Sequence, residues 1–278
     1  MKTILVPTDF SKEANHALLY AVNLAREFNS SIILYHSFIP FESGFYPYPK
    51  SARENAEQEE SLMKQLNRIK KRILKSFETL DLEVYVDRGP AGLRMNDFCK
   101  KKKVDLIVMG TTGASGIKEV IAGSFTADTM TSAKIPVLAI PGRKAFKIPR
   151  KILFATDYSK SDIKSIEFLI EWSRLFKSQI DILHIDDSGK MNVEVENDYK
   201  EFKTKIANRI TEVLINFHHI RGGNISEEFL EFGKKIKADV LAISPVPVKG
   251  LWDSLFNKSI TKTTAYHSKI PLLSIPNK

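Results

Sequence analysis

Short apolar runs alternate with longer amphipathic segments along the first half of the chain. The runs lie near residues 3–6, 31–36, 82–86, 104–109 and 136–140. They lack the strict apolar–polar alternation of a half-exposed strand, so we expect strands buried on both faces, as in a parallel sheet. The segments between them repeat apolar residues at helical spacing. This order predicts an α/β unit with a doubly wound, five-stranded parallel sheet.

Helices are predicted between these strands, at about residues 11–28, 51–77, 93–102 and 124–132. Ser11 is a suitable N-cap for the first helix. The buried face of that helix is expected to carry Ala14, Ala17, Leu18, Ala21, Leu24 and Ala25. The third helix closes on a run of four lysines, where cations suit the negative end of the helix dipole.

The chain contains this unit twice. The recurring segments are Ile4–Ser11 with Ile152–Ser159, Val104–Met109 with Ala238–Ile243, and Lys134–Pro141 with Lys269–Pro276. Two copies make a pair, since a solenoid needs three or more repeats. The basic stretch Gly142–Arg150 has the composition of a linker, so we expect one domain over residues 1–142 and a second over residues 150–278.

Composition and charge narrow the class of protein. With 278 residues, 43% hydrophobic and 27% charged, the chain is an ordinary globular protein. Its net charge of +9 is spread over both halves, so we expect no nucleic-acid partner. The sequence has no apolar run long enough for a membrane span, and Pro7 and Asp9 come too early for a secretory signal, so we expect neither feature. The one cysteine, Cys99, fits a packing role in a cytoplasmic protein.

Three glycines follow the apolar run 104–109 at a fixed spacing. Gly110, Gly113 and Gly123 are separated by two and by nine residues, and Ser124 follows the last of them. Glycine lets backbone amides approach an anion closely, and Ser124 would cap a helix whose first amides face the same point. The spacing favours a phosphate site, although three turn glycines without a ligand remain an alternative.

Other candidate residues fall at the ends of predicted strands. Asp9 follows the first strand, Ser37 ends the second, and Gly110 ends the fourth. In a doubly wound sheet, ligands bind at the carboxyl ends of the strands, where the strand order reverses. The three residues are therefore expected at one edge.

These residues resemble the universal stress protein family. Its nucleotide motif, Gly-x2-Gly-x9-Gly-Ser/Thr, stands here at Gly110, Gly113, Gly123 and Ser124, and the opening Pro7–Ser11 is similar to its first strand–helix turn. The resemblance covers essentially the whole chain as two tandem domains. It implies ATP and magnesium, with the glycine loop, Ser124 and Thr126 on the phosphates.

By the same resemblance, Asp9 lies near the nucleotide and its metal. Ser37 borders adenine, although it departs from the commoner apolar residue at that position. The full set implied at the nucleotide is Pro7, Thr8, Asp9, Ser37, Met109, Gly110, Gly113, Gly123, Ser124, Phe125 and Thr126.

The second unit departs from this motif. Ser244 matches Gly110, Pro247 matches Gly113, and Lys258 matches Gly123. Proline has no amide hydrogen to donate, and lysine is unfavourable where a loop needs positive φ. We therefore expect one nucleotide-binding half and one degenerate half.

Three functions remain open at this point. The favoured one is a nucleotide-responsive sensor or binding module in the stress response, which is not an enzyme. The others are a slow ATP hydrolase or self-phosphorylating enzyme, and a structural pseudo-dimer without nucleotide. Family members commonly pair through their last strands, so Val137–Ile140 and Leu272–Ile275 are expected side by side within one chain. A homodimer is also possible, and the sequence does not name the downstream partner.

Two further features lead to expectations. His36 and His184 recur at the ends of the two second strands, which favours packing or hydrogen bonding over catalysis. His218 and His219 are expected at the start of a strand, without a metal ion. The aromatic segment Phe38–Pro49 is expected to pack against the other half or a second chain, with a lid over the nucleotide or a mobile loop as alternatives.

Overall fold

The structure is a computed structural model. It describes residues 1–40, 48–111, 124–142, 144–186, 193–207, 213–244 and 270–276. The elements of the first half are β1 (Thr3–Pro7), α1 (Lys12–Phe28), β2 (Ser31–Phe38), α2 (Tyr48–Leu74), β3 (Leu82–Arg88), α3 (Ala91–Lys102), β4 (Leu106–Gly110), α4 (Ser124–Ser132) and β5 (Val137–Ile140).

The second half repeats this alternation. Its elements are β6 (Lys151–Ala155), α5 (Lys160–Phe176), β7 (Gln179–Asp186), α6 (Val193–Ala207), β8 (Ile215–Arg221), α7 (Ile225–Lys235), β9 (Val240–Ile243) and β10 (Leu272–Ser274). The α/β fold predicted from the apolar runs is confirmed.

The described strands form one sheet in the order β3-β2-β1-β4-β5-β10-β9-β6-β7-β8. Within each half the paired strands are parallel. In the first half the chain builds outward from β1 to β2 and β3, then crosses to β4 and β5 on the other side. The direction in which strands are added therefore reverses between the neighbouring strands β1 and β4, which makes this position a topological switch point. The second half has its own switch point between β6 and β9.

The halves meet where β5 pairs with β10. Leu138 lies opposite Leu273, and Val137 lies opposite Ser274. The two last strands expected side by side are thus paired within the chain. Their pairing is antiparallel, so the carboxyl ends of the strands lie at opposite ends of the sheet in the two halves.

Helices from both halves pack on one face of this junction. The Phe28 ring of α1 lies 5.7 Å from the Trp172 ring and 5.0 Å from the Phe176 ring of α5, measured between centroids. In addition, the buried Ser274 hydroxyl donates to the Met130 carbonyl of α4 across the junction. Contacts between the halves therefore extend beyond the strand ladder.

The buried core has a shared part and separate parts. One hydrophobic cluster runs through both halves and includes Leu138 and Leu273. The opposite face of the sheet carries a separate cluster for each half. Cys99 packs in that of the first half, where burial raises the pKa of its thiol to about 12. Its predicted packing role is confirmed.

The first helix follows its sequence signals closely. The Ser11 hydroxyl accepts a hydrogen bond from the Ala14 amide at 3.1 Å, and Asn29 closes α1 in the left-handed conformation. The predicted apolar face of α1 is buried.

Strand β4 begins two residues later than predicted. Lys103 adopts φ 53° and ends α3, and the Val104 amide donates to the Cys99 carbonyl as part of that helix end. Val104 thus belongs to a helix cap, although its apolar character matches the strand.

Some expectations lie partly outside the described residues. Most of the aromatic segment 38–49 does so, and its packing partner stays a prediction. Residues 144–150 carry no regular element between β5 and β6, where the linker was expected, and the independence of the two domains also stays a prediction. Within the described ranges, no helix is long and apolar enough to cross a bilayer.

Candidate functional site

The switch point of the first half brings three predicted segments together. These are the β1 end with Pro7–Asp9, the β4 end with Met109 and Gly110, and the start of α4 at Ser124–Thr126. Strand β2 lies beside β1, with Tyr35 opposite Pro7, so half-buried Ser37 comes two residues further along the same edge. We call this region the β1–β4 crevice.

The turn between β1 and α1 is held by its own side chains. The buried Thr8 hydroxyl oxygen accepts from the Phe10 amide at 3.0 Å. The Asp9 carboxylate accepts from the Ser11 amide at 3.0 Å, and Asp9 is exposed. These bonds fix a carboxylate at the mouth of the crevice.

The aromatic residue of this turn has an unusual backbone. Phe10 adopts φ 65°, a conformation that bulky residues rarely take. Its ring lies 4.6 Å from that of His36, whose Nδ1 atom is 2.7 Å from the Thr8 carbonyl oxygen. His36 therefore supports the turn by packing and hydrogen bonding, as predicted.

The structure gives a reason for glycine at position 110 that the sequence pattern did not show. A β-carbon there would lie 3.2 Å from the carbonyl carbon and oxygen of Glu13 in α1. The next amide, that of Thr111, donates to the Ile140 carbonyl. The glycine is thus needed for close packing of α1 on β4, whatever it does for a ligand.

The start of α4 is fastened to the end of β4. The Thr126 hydroxyl donates to the Gly110 carbonyl at 2.8 Å, and Thr126 is buried. Its hydroxyl proton is used inside the protein, so its contribution to an anion site would come from the backbone amide. The first amides of a helix lack intrahelical partners, and those of α4 begin at Ser124 beside the crevice.

Two other predicted residues are placed less directly. The Met109 side chain is buried in the core, so only its backbone can face the crevice. Phe125 is 37% exposed and lines a cavity of about 80 Å³ between α3 and α4. Gly113 and Gly123 lie outside the described residues, so the glycine loop itself stays a prediction.

The second half has the same turn after β6. The Thr156 hydroxyl oxygen accepts from the Tyr158 amide at 2.9 Å, and the Asp157 carboxylate accepts from the Ser159 amide at 2.9 Å. Tyr158 adopts φ 63° and stacks on His184 at 4.4 Å. The internal repeat therefore preserves the geometry of the turn as well as its sequence.

Beneath this second turn, polar residues replace small ones. Asp162, Ser165 and Ser244 are fully buried or nearly so, and the Ser165 and Ser244 hydroxyl oxygens lie 3.1 Å apart. By the spacing of the repeat, they occupy the positions that Ala14, Ala17 and Gly110 hold in the first half. Burial and the nearby Asp157 carboxyl raise the pKa of Asp162 to about 8.

Sequence reasoning did not single out Asp162. An acidic residue in the first turn of a helix is common because it suits the dipole, and it is usually exposed. The signal that would have found it is its alignment with Ala14, which the sequence already placed on a buried helical face.

The described residues contain no group of three or more His, Cys, Asp or Glu side chains suited to a metal ion. His218 lies in the middle of β8, where its Nε2 atom is 2.7 Å from the Asp181 carboxylate. The expectation that it begins a strand was wrong, because the β8 strand extends three residues before it.

A doubly wound α/β half with a topological switch point defines the Rossmann-like class of folds. The family model described as "Universal stress protein family" matches residues 1–141. Universal stress protein MJ0531 of Methanocaldococcus jannaschii is 31% identical over 142 residues, which is 50% of this chain and 81% of that protein. The chain belongs to the universal stress protein family.

Solved structures extend the likeness in fold to the second half. A universal stress protein from Archaeoglobus fulgidus DSM 4304 aligns with a TM-score of 0.74 and 17% identity, over 99% of this chain and 96% of its own. A functionally unknown protein, PA1789 from Pseudomonas aeruginosa PAO1, aligns with a TM-score of 0.61 and 15% identity, over 100% and 93%. Both likenesses concern the fold of the entire chain.

Proposed function

We propose that the first half binds one adenine nucleotide, as ATP with magnesium, in the β1–β4 crevice. The chain then acts as a nucleotide-responsive binding module in the stress response and not as an enzyme. The observation that carries this proposal is the meeting of the Asp9 turn, the end of β4 and the start of α4 at one switch point.

The chemistry of the crevice suits a phosphate ligand with a hard cation. The start of α4 supplies partial positive charge and unpaired amides, which favour an anion. Magnesium is usually held by one or two carboxylates together with phosphate oxygens and water. The exposed Asp9 carboxylate fits that arrangement, and the nucleotide would supply the phosphate oxygens.

The second half is proposed to bind no nucleotide. Ser244 replaces Gly110, and its side chain is fully buried against Ser165. Pro247 and Lys258 replace the other two glycines, although both lie outside the described residues. We propose that this half serves as the partner of the first in an intramolecular pseudo-dimer, joined through β5 and β10.

The binding stoichiometry tests this division. Titration calorimetry with ATP and magnesium is expected to give one site per chain, because only the first half keeps the three glycines. Mass spectrometry of small molecules released on denaturing the purified protein is expected to detect an adenine nucleotide. Two equivalent calorimetric sites would contradict the proposed degeneracy, and no binding would leave the structural pseudo-dimer.

Asp9→Asn is expected to weaken ATP–magnesium binding about tenfold or more, since a hydrogen bond to a charged group contributes about 1.5–3 kcal/mol. The repeat provides a matched control in Asp157→Asn, which makes the same change in the same turn of the second half. Calorimetry on both variants checks this. Equal affinities for the two variants would show that Asp9 takes no part in binding.

Hydrolysis remains the alternative function, and the geometry gives it little support. His36, at the same edge, is held against the Thr8 carbonyl and the Phe10 ring, which suits a structural role. We expect protein-bound ATP to persist intact during prolonged incubation. Steady accumulation of ADP, or of phosphorylated protein, would favour an enzyme.

A further inference from the structure

We propose that the turn after β6 contains a buried proton-binding site, formed by Asp162 with Asp157, and that this site makes the second half responsive to pH. The inference does not depend on nucleotide binding by the first half. It rests on the packing of the Asp162 carboxyl group.

The Asp162 carboxyl is completely shielded from solvent. Its Oδ2 atom accepts from the Thr156 hydroxyl at 2.7 Å and from the Asp157 amide at 3.2 Å. Its Oδ1 atom is buried and has no hydrogen-bond partner. A buried carboxylate with one unsatisfied oxygen is unfavourable, and protonation relieves this by removing the charge.

The neighbouring Asp157 carboxyl favours the same protonation. It repels the ionised form of Asp162 and can accept a hydrogen bond from the neutral form, and both effects raise the pKa of Asp162. A buried carboxyl group near a like charge binds a proton more readily for this reason. Asp162 is therefore expected to be largely protonated at neutral pH.

Other titratable side chains also face this turn. Among the described residues, His184 on β7 places its Nδ1 atom 3.0 Å from the Thr156 carbonyl oxygen, and burial lowers its pKa, which favours the neutral ring. The charge of His219 on β8 also lowers the pKa of His184, whereas the charge of Asp186 on β7 raises it. On the β9 side, the neutral hydroxyl of Ser244 lies against Ser165 of α5.

A proton fits this site better than a metal ion does. The free oxygen of Asp162 is closed to solvent, so a hydrated cation could reach it only by opening the turn. A metal would also need further ligands, and the described residues offer no third acidic, histidine or cysteine side chain. A proton on Asp162 is thus the ligand that the geometry admits.

The sign of the pH dependence follows from the direction of the shift. An unfolded aspartate titrates near pH 4, whereas the pKa of folded Asp162 is raised to about 8. Between these values the folded state holds more protons than the unfolded state, so stability decreases as pH rises. Below about pH 4 this contribution is fully present, and above about pH 8 it is lost.

Thermal unfolding between about pH 5 and about pH 9 tests the proposal. Asp162→Asn keeps the shape without the charge, and Asp162→Ala restores the residue type of the first half. The melting temperature of the wild type is expected to fall as the pH rises. In both variants, the part of this fall that comes from Asp162 is expected to be absent. Asp97→Asn, an exposed change in the first half, should follow the wild type. An unchanged pH profile in both Asp162 variants would overturn the proposal.

Carbon-13 NMR of aspartate carboxyls in the wild-type chain provides a direct readout that needs no variant to fold. One resonance is expected to titrate far above the others, to be absent in Asp162→Asn, and to move to lower pH in Asp157→Asn. All aspartates titrating in the ordinary range would refute the buried proton on Asp162. A midpoint that falls on adding magnesium or calcium in the wild type would show a metal site instead.

Discussion

Gly123→Lys is expected to abolish stabilisation of the protein by ATP while leaving the fold intact. The change copies what the second half carries at Lys258. A cation near phosphates is attractive, so the expected loss comes from side-chain bulk and from about 1 kcal/mol or more of backbone strain if φ is positive there. ATP at 100 times its dissociation constant should stabilise the wild type by about 2.7 kcal/mol. Thermal unfolding with and without ATP measures the stability of the unliganded protein and its stabilisation by ATP.

Gly223→Lys provides the matched control. Gly223 lies in the second half with open space around its α-carbon, so this variant adds the same charge away from the first-half crevice. It should keep the wild-type response to ATP. A normal response in Gly123→Lys as well would show that Gly123 does not line the site, and the glycine spacing would then be an ordinary turn.

Leu273→Ala is expected to destabilise the whole chain by about 2–5 kcal/mol, the usual cost of removing a buried leucine side chain. Leu273 is fully buried in β10, pairs with Leu138 of β5, and belongs to the cluster shared by both halves. Chemical denaturation should show the loss in a single transition if the halves unfold together.

The control for this prediction is Leu214→Ala, since Leu214 is 61% exposed and its loss should cost under about 0.5 kcal/mol. A double-mutant cycle with Leu138→Ala then measures coupling across the junction, and contacting residues commonly couple by about 0.5–3 kcal/mol. Additive effects would mean that the paired strands contribute independently to stability.

Much of the fold is predictable from sequence because its signals are local. The Ser11 cap and the spacing of alanine and leucine define α1, and buried strands follow from short apolar runs. The repeat then predicts that the Thr8–Ser11 and Thr156–Ser159 turns share one geometry, which the structure shows in detail.

The remainder depends on packing, which a single sequence does not encode locally. Val104 matches a strand in composition but serves a helix end. Gly110 fits an anion loop by pattern, whereas the structure also shows that a β-carbon there would crowd Glu13 of α1. Asp162 has the position of an ordinary helix-start acid, and its burial follows from the repeat alignment with Ala14 and not from its residue type. The meeting of the β1, β2 and β4 ends at one edge was predictable because parallel strand ends converge by topology, whereas the nucleotide site itself stays a proposal.

The antiparallel meeting of β5 and β10 has an evolutionary consequence. It points the two turns, at Asp9 and at Asp157, toward opposite ends of the sheet. A change in one turn therefore lies far from the other turn, and the hydrophobic junction is what the two halves share. The two turns can thus differ independently, as they do where Asp162 stands in the second half and Ala14 in the first.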